Sequence, residues 1–335
     1  METVADVGEF GLIARLRRFV GEHGAPLAGG ELGIGDDAAV LCVRPGHQLL
    51  VTCDVVVEGR HYLRGTDPAD LGWRAAAVNL SDIGAMGGQP RYALLSLGLR
   101  PEQPVATLER VYRGFLEALQ PYGAAVAGGN VTLTTGPPFL DVTLLGEVEQ
   151  GRALKRSGAR PGDAILVTGL PGQAAAGLRR LQEGAPVPPD DPLVLAYRRP
   201  PARVPEGREA CRCGVHAAID TSDGLAGDLG QLCRESGVGA VVEAARLPVS
   251  PALARAAAAW GEDPLALVLS PSDDYELLLT CAPQAAQAVQ RALAGVRGVP
   301  VTCIGTITTS AGHLGLRRDG HEEPLTGGGW DHFRA

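Results

Sequence analysis

The sequence has very little lysine and few aromatic residues. Lys155 is the only lysine among 335 residues, and Phe, Trp and Tyr together make up 4%. Lys155 follows Leu154 rather than the glycine that the Walker A phosphate-binding loop requires, so this loop is excluded. Any phosphate that binds must therefore be held by a metal ion, by arginine or by backbone amides. The scarcity of rings predicts cores built mainly from alanine, valine and leucine.

Long hydrophobic runs are also missing. No segment approaches the run of about 18 uncharged apolar residues that a membrane helix needs, and the first residues carry acids rather than an apolar signal core. We therefore expect a cytoplasmic protein that does not enter a membrane. The formal net charge of -8 argues against a surface that binds nucleic acid or anionic lipid.

Two further motifs are absent. The seven cysteines include no C-x-x-C pair, which predicts reduced thiols, and Cys211 with Cys213 would supply only half of a metal site. The glycines at 169–172 follow a predicted strand but form no G-x-G-x-x-G pattern. A dinucleotide-binding domain is therefore rejected, and these glycines are interpreted as turn residues.

The chain length and one segment rich in glycine and proline predict two domains. A chain of 335 residues is too long for one ordinary hydrophobic core. Residues 152–163 are basic and punctuated by glycine and proline, which is typical of a connector between domains. We place the boundary there, with an N-terminal domain at 1–150 and a C-terminal domain at 151–335.

Hydrophobic periodicity predicts alternating strands and helices in both halves. The predicted strands are 38–43, 48–57, 91–99, 123–130, 139–148, 164–168, 215–219, 239–242, 275–281 and 301–307. The predicted helices are 9–20, 70–88, 105–119, 173–182, 225–233, 251–260 and 284–294. This alternation indicates an α/β fold.

Acidic residues recur at the ends of apolar runs, beside glycine, serine or threonine. Four such places are Gly33-Ile34-Gly35-Asp36-Asp37, Val51-Thr52-Cys53-Asp54, Asn79-Leu80-Ser81-Asp82 and Ile219-Asp220-Thr221-Ser222-Asp223. Carboxylates at strand ends and turns supply the oxygen ligands that Mg²⁺ prefers, commonly together with substrate phosphates. The four motifs together predict a metal and phosphate site.

For single residues the sequence leaves alternatives open. Asn79 and Asp82 share a face of the predicted helix, where Asp82 either binds a metal or accepts hydrogen bonds inside the packed protein. His61 follows a strand and is either structural, a base, or a contact for a phosphate or ring. Trp330 lies in an aromatic-rich tail, where its ring either stacks on a ligand or packs on the surface.

Seven ordered motifs span nearly the whole chain. They are Glu9-Phe10-Gly11-Leu12-Ile13, Gly33-Ile34-Gly35-Asp36-Asp37-Ala38, Val78-Asn79-Leu80-Ser81-Asp82-Ile83 with Met86-Gly87, Arg156-Ser157-Gly158-Ala159 with Pro161-Gly162-Asp163, Ser222-Asp223-Gly224-Leu225, Asp274-Tyr275-Glu276-Leu277 and Asp331-His332-Phe333. In this order they resemble the thiamine-monophosphate kinase family, a branch of the superfamily that includes aminoimidazole ribonucleotide synthetase and selenophosphate synthetase. Seven ordered matches are far more specific than any one of them.

This resemblance implies a two-domain α/β fold of the aminoimidazole ribonucleotide synthetase type, with the N-terminal domains paired in a homodimer and ATP bound near that interface. It implies phosphorylation of thiamine monophosphate to thiamine diphosphate by direct in-line transfer from ATP, assisted by several Mg²⁺ ions. The implied metal ligands are Asp37, Thr52, Asp54, Asp82, Asp220 and Asp223, of which Asp82 and Asp220 are the catalytic centre. The implied ATP contacts are Gly129, Asn130, Arg156 and Ser222, and the implied substrate contacts are His61, Asp273 and Trp330.

The sequence departs from this family at two positions. Asn130 stands where the family commonly has a metal-binding aspartate; an amide also binds Mg²⁺ but brings no charge, and Asn130 is retained as a metal ligand. Asp273 stands where the family has glutamate, which shortens the acid by one methylene. Two alternatives stay open: a non-catalytic dimer that binds Mg-ATP as a sensor or scaffold, and a superfamily relative that acts on a different phosphate acceptor.

Overall fold

The computed structural model describes residues 2–29, 31–34, 38–184, 186–325 and 329. The chain forms two compact units. The first comprises Met1–Ile83 and Gln89–Gly151, and the second comprises Gly84–Gly88 and Arg152–Ala335. Both units mix helices with strands, so the predicted α/β character is confirmed.

The described part of the first unit is a four-stranded sheet with three α-helices. The helices are α1 (Val4–His23), α2 (Pro68–Ala85) and α3 (Val105–Leu119), and the strands are β1 (His47–Val57), β2 (Gln89–Leu99), β3 (Ala125–Leu133) and β4 (Phe139–Glu149). The order in the sheet is β1-β4-β2-β3, in which β2 and β3 run parallel and the other neighbours run antiparallel.

Helix α3 has the bounds that its periodicity predicts, because Leu108, Val111, Phe115 and Leu119 lie on one face and are buried. Small residues bring it close to helix α2. A Cβ atom added to Gly114 would lie 1.8 Å from the carbonyl oxygen of Ala69, so only glycine allows the two backbones to approach this far. The pair of helices forms one side of the hydrophobic core.

Strand β1 alternates between a covered and an open face of the sheet. Leu50 and Val56 are buried, whereas Val51 and Val55 are 60% and 42% exposed. Since successive side chains of a strand point to opposite faces, Thr52 and Asp54 lie on the covered side with Leu50 and Val56.

The strand predicted at 38–43 is wrong. Val40 makes one isolated bridge with Leu32, and the N–H of Cys42 donates to the carboxylate of Glu31 at 3.2 Å. Val40 is 52% exposed, so its apolar side chain has no sheet to cover. A local hydrogen bond to a side chain therefore replaces the expected ladder in this segment.

The described part of the second unit is a seven-stranded sheet with seven α-helices. The strands are β5 (Ala164–Thr168), β6 (Ala217–Asp220), β7 (Gly239–Glu243), β8 (Leu277–Cys281), β9 (Val301–Thr308), β10 (Leu314–Arg318) and β11 (His321–Pro324), in the order β11-β10-β7-β9-β5-β8-β6. The helices are α4 (Gln173–Gln182), α5 (Pro192–Arg198), α6 (Val204–Cys213), α7 (Leu225–Ser236), α8 (Pro251–Trp260), α9 (Pro264–Leu269) and α10 (Ala286–Arg297). Periodicity did not predict α5, α6, α9, β10 and β11.

The central strands of this sheet carry polar residues at one of their ends, and we call this end the polar edge of the second sheet. Strands β5, β6 and β8 are buried along their whole length, and both β5 and β6 run antiparallel to β8. The carboxyl ends of β5 and β6 therefore lie at the edge where β8 begins. Thr168, Asp220 and Glu276 meet this edge at the end of β5, the end of β6 and the start of β8, respectively.

The expectation for the cysteines is also met. All seven cysteines are free thiols, as the missing C-x-x-C pairs predict. Within the described ranges, no helix combines the length and the apolar character needed to cross a membrane.

Candidate active site

In the first unit, strand β1 and helix α2 bring together four polar residues, Thr52, Asp54, Asn79 and Asp82. The hydroxyl of Thr52 donates a hydrogen bond to the carboxylate of Asp82. The backbone N–H of Asp54 donates to the side-chain oxygen of Asn79 at 3.1 Å, and the fully buried Asn79 amide donates to the carbonyl of Ala75 at 3.1 Å. The helical spacing of Asn79 and Asp82 therefore aims both side chains at alternate residues of one strand.

Gly129 and Asn130 lie on strand β3, at the other edge of the same sheet. They pair with Leu95 and Ser96 of β2, and a Cβ atom on Gly129 would lie 1.9 Å from the carbonyl oxygen of Leu95. Only glycine permits this close approach. Both residues are exposed.

The structure does not bring Asn130 beside Thr52 and Asp54 within one chain. Three strand spacings, about 14 Å, separate β3 from β1. The cross-sheet row that contains Asn130 continues through Ser96 and Asp141 to Val55, so Asn130 shares the open face of the sheet. Thr52 and Asp54 lie on the opposite face.

His61 lies in the turn after β1 and is half-buried. The N–H of Val57 donates to its Nδ1 atom at 3.1 Å. Because Nδ1 accepts this hydrogen bond, a neutral His61 carries its proton on Nε2 and presents a donor. The backbone of the turn thus sets the tautomer that a ligand would meet.

In the second unit, the predicted acidic residues lie between β6 and α7. Asp220, at the end of β6, and Thr221 are buried, whereas Ser222 and Asp223 are partly exposed. The N–H of Asp223 donates to the carboxylate of Asp228 at 3.0 Å. Local sequence explains the shape, since Gly224 at φ 107° precedes the first turn of α7.

Asp228 is a residue that the sequence analysis missed. It is 2% exposed in the first turn of α7, and burial raises the pKa of its carboxyl to about 8. The N–H of Asp223 and the positive charge of Arg156 oppose this rise, while the negative charges of Asp220 and Asp223 add to it. One signal was available: Asp228 interrupts an apolar helix face four residues after Gly224.

Arg156 lies in the exposed connector before β5, and the connector is fixed to the end of α7. The hydroxyl of Ser236 donates to the carbonyl of Arg156 at 2.9 Å and accepts the N–H groups of Gly158 and Ala159, each at 3.2 Å. These bonds hold the arginine-bearing segment against the helix that carries Asp228.

Asp273 lies in a loop that is attached at both sides. Asp274 accepts the N–H groups of Gly172 and Ala174 at 2.6 and 2.9 Å, and Ser272 accepts that of Ala175 at 3.1 Å. Burial raises the pKa of the Asp274 carboxyl to about 6. The N-terminus of α4 is therefore occupied by side chains of its own unit, which confirms that its glycines are turn residues.

Two predicted site residues, Asp37 and Trp330, lie outside the described residues, as do the Asp36 and Asp331-His332-Phe333 portions of the motifs. Among the residues that are described, no group of three or more His, Cys, Asp or Glu side chains is close enough to hold a metal ion. The donors that do approach one another are carboxylate, hydroxyl and amide oxygens, the chemistry that suits Mg²⁺. The negative charges of Asp220 and Asp223 also raise the pKa of the Asp228 carboxyl, and a bound cation would relieve this repulsion as a proton does.

Comparison with known protein families matches most of the chain. Residues 35–148 match the N-terminal domain of AIR synthase related proteins, and residues 160–315 match their C-terminal domain. The thiamine-monophosphate kinase of Escherichia coli K12 is 42% identical over 329 residues, covering 97% of this chain and 98% of its own. That of Bacillus subtilis is 33% identical and covers 91% and 94%.

Solved structures show the same similarity. A thiamine-monophosphate kinase from Stenotrophomonas maltophilia superposes with a TM-score of 0.81 at 38% identity, over 95% of this chain and 98% of its own. AaThiL complexed with AMPPCP and TMP superposes with a TM-score of 0.77 at 32% identity, over 99% of both chains. The hydrogenase maturation protein HypE, at 21% identity and a TM-score of 0.77, shares the fold.

Proposed function

The chain belongs to the thiamine-monophosphate kinase family of AIR synthase related proteins, and we propose that it transfers the terminal phosphoryl group of ATP directly to thiamine monophosphate, forming thiamine diphosphate and ADP. The complex of the relative AaThiL with an ATP analogue and TMP supports these two substrates. The observation that carries the proposal in this chain is the turn after β6, where Asp220 and Asp223 lie beside Asp228 and within the electrostatic reach of Arg156.

The proposed metal ligands are the oxygen-bearing residues of both units. They are Asp37, Thr52, Asp54, Asp82, Asn130, Asp220 and Asp223. Bound Mg²⁺ would neutralise charge on the triphosphate and on the phosphoryl group in transfer. The buried Asp220 and its acidic neighbours fit a cation, because carboxylates placed this close repel one another without one.

The residues of the chain position both substrates in this proposal. Gly129, Asn130, Arg156 and Ser222 contact ATP, and His61, Asp273 and Trp330 contact thiamine monophosphate. Arg156 offers its guanidinium to phosphate oxygens, and His61 offers its Nε2–H. The hydrogen bond from Thr52 orients the carboxylate of Asp82. In the same way, the N–H of Asp223 orients the carboxylate of Asp228. Transfer is in line and direct, with no phosphorylated side chain.

We further propose that the enzyme is a cytoplasmic homodimer whose N-terminal sheets pair through their open faces. Leu49, Val51 and Val55 project from this face of β1 with 46%, 60% and 42% exposure. Contiguous apolar surface of this kind marks an interaction site. A charge among these exposed apolar residues, introduced by Val51→Asp, should convert the dimer to a monomer in analytical ultracentrifugation.

Asn130 supports a second candidate, a dimer that binds Mg-ATP without turnover. The family aspartate at this position would bring a negative charge that the exposed Asn130 amide does not. Such a sensor would be stabilised by Mg-ATP, because a ligand that binds the folded state raises its unfolding free energy. It would release no ADP when thiamine monophosphate is added.

The deciding experiment measures ADP and thiamine diphosphate from ATP and thiamine monophosphate, with and without Mg²⁺. Asn130→Asp, which restores the family residue, is assayed beside the natural chain. We expect both products from the natural chain only in the complete mixture. Products from Asn130→Asp alone would favour the sensor. Mg-ATP binding without products in either protein would favour a different phosphate acceptor.

A further inference from the structure

A buried ion pair that no predicted role includes lies at the polar edge of the second sheet. Arg203 donates from Nε and Nη2 to the two carboxylate oxygens of Glu276, each at 2.6 Å. The two side chains are 16% and 6% exposed. Paired donors and paired acceptors of this kind fix direction as well as distance, because both planar groups must stay aligned.

Glu276 also joins the strand ends around it. The hydroxyl of Thr168 donates to its carboxylate at 2.6 Å and accepts the N–H of Leu277 at 2.8 Å. A Cβ atom on Gly169 would lie 1.9 Å from the carboxylate, so the glycine that follows β5 leaves the space that Glu276 fills. The carboxylate of Glu276 is therefore enclosed by the guanidinium of Arg203, the hydroxyl of Thr168 and the backbone of Gly169.

The backbone of the same loop is tied to the acidic turn. The N–H of Thr221 donates to the carbonyl of Glu276 at 2.7 Å, and the N–H of Glu276 donates to the hydroxyl of Thr221 at 3.0 Å. The N–H of Tyr275 donates to the carbonyl of Thr221 at 2.8 Å. Thr221 stands between Asp220 and Ser222, so the loop with Asp273 and the turn with Asp220 share one set of bonds.

Tyr275 shows that this loop is constrained. Its φ is 54°, in the left-handed region that a residue with a side chain rarely adopts. Such a conformation persists only where its surroundings over-determine it. Here the caps from Ser272 and Asp274 hold the loop on one side of Tyr275, and Glu276 holds it on the other.

We propose that Arg203 is a positioning residue for the phosphate acceptor: through Glu276 it fixes the loop Ser272–Glu276 against Thr221, and thereby sets Asp273 relative to Asp220. The inference rests on the proposed substrate role of Asp273. Arg203 acts mainly on the acceptor side, because its partner lies in the loop that carries Asp273, whereas Asp220 is also held by the pairing of strand β6 with Leu277 of β8.

Stability alone does not require this pair. A buried ion pair is about as stabilising as well-packed apolar residues in its place, whereas removal of one partner leaves an uncompensated charge. This difference between single and double replacement separates a role in stability from the positioning role. Arg203→Met with Glu276→Met removes both charges together, and it should recover thermal stability without recovering the loop geometry.

The test compares steady-state kinetics and thermal melting for Arg203→Met, Arg203→Lys and the double variant. We expect Arg203→Met to raise the KM for thiamine monophosphate at least tenfold, with the KM for ATP changed less than threefold. Arg203→Lys keeps the charge in place but loses the paired geometry, and should give an intermediate KM. The double variant should melt near the natural protein and keep the raised KM.

Arg180→Met is the matched control, because Arg180 pairs with the buried Asp191 in the same unit, at the start of α5. It should lower the melting temperature and leave both KM values unchanged. An unchanged acceptor KM in Arg203→Met or Arg203→Lys, or a normal one in the double variant, would overturn the positioning role. Absence of turnover in the natural protein would instead overturn the proposed function.

Discussion

The two units hold their oxygen-bearing side chains in different ways. In the first, Thr52 and Asp82 stand on a strand and a helix, are both partly exposed, and meet through one hydrogen bond. In the second, Asp220 is buried, and the turn that follows it is bonded to Glu276, 55 positions away from Thr221. Regular elements place the first set, and a network between distant segments places the second. A substitution in the first unit should therefore act locally, whereas one in the second should act on several loops.

The largest effect is expected when either unit loses a proposed metal ligand. Asp82→Asn and Asp220→Asn should each lower kcat at least about 100-fold, the usual cost of one preorganised group that stabilises charge. Asp220→Asn should also shift the melting temperature, since Asp220 is buried, and Asp82→Asn should shift it less. Enzyme assays and calorimetry on both variants measure this.

The control for this pair is Asp319→Asn, an exposed residue at φ 50° between β10 and β11. Asparagine tolerates this backbone conformation, so turnover and melting should stay at the natural values. Near-normal turnover in Asp82→Asn would overturn the assignment of Asp82 as a metal ligand.

The same difference explains how much of the structure was predictable. Helix α3 and strand β1 follow from periodicity, because their residues repeat at 3.6 and 2 positions over a long stretch. The contact between Thr52 and Asp82 needs only that a helix crosses the covered face of that strand. The proximity of Thr52 and Asp82 was therefore accessible from the sequence alone.

The network of the second unit was not accessible in this way. Arg203 precedes a short helix that periodicity missed, and its partner Glu276 lies 73 positions later. Asp274 caps α4 from 100 positions away, and Tyr275 adopts a conformation that its side chain disfavours. Pairings of this length follow from the strand order β5-β8-β6, which local patterns do not encode.

The second-largest effect is expected when the side chains that cap the N-terminus of α4 are removed. Asp274→Ala should lower the free energy of unfolding by about 2–4 kcal/mol, because it leaves two buried N–H groups, those of Gly172 and Ala174, without an acceptor. Ser272→Ala, which removes one acceptor, should cost about 1 kcal/mol. Denaturant unfolding of both variants ranks them, and equal costs would show that Asp274 is not the principal cap.

A smaller, opposite effect is expected at Glu206 in the first turn of α6. Its side chain is fully buried, and among the described residues neither carboxylate oxygen has a hydrogen-bond donor. Removing an uncompensated buried polar group should stabilise the protein, so Glu206→Leu should raise the free energy of unfolding by about 1–3 kcal/mol. Glu209→Leu, which removes the surface partner of Arg212, serves as the control with little expected change. Destabilisation by Glu206→Leu would show that this carboxylate is satisfied.

The smallest effect concerns pH and the first unit. Glu147 is 2% exposed; burial alone would raise the pKa of its carboxyl, but the hydrogen bonds and charge of Arg44, together with the charge of Arg91, hold it below its usual value. The unfolded chain therefore binds the proton more readily, and the stability that this group contributes is present above about pH 4.5 and lost as pH falls through the lower folded value. Glu147→Gln should cost about 1–2 kcal/mol at pH 7 and progressively less below pH 4.5. Melting curves from pH 7 to pH 3 measure the difference, with the exposed Glu149→Gln as control, and a cost that does not shrink in acid would mean that packing rather than charge makes Glu147 necessary.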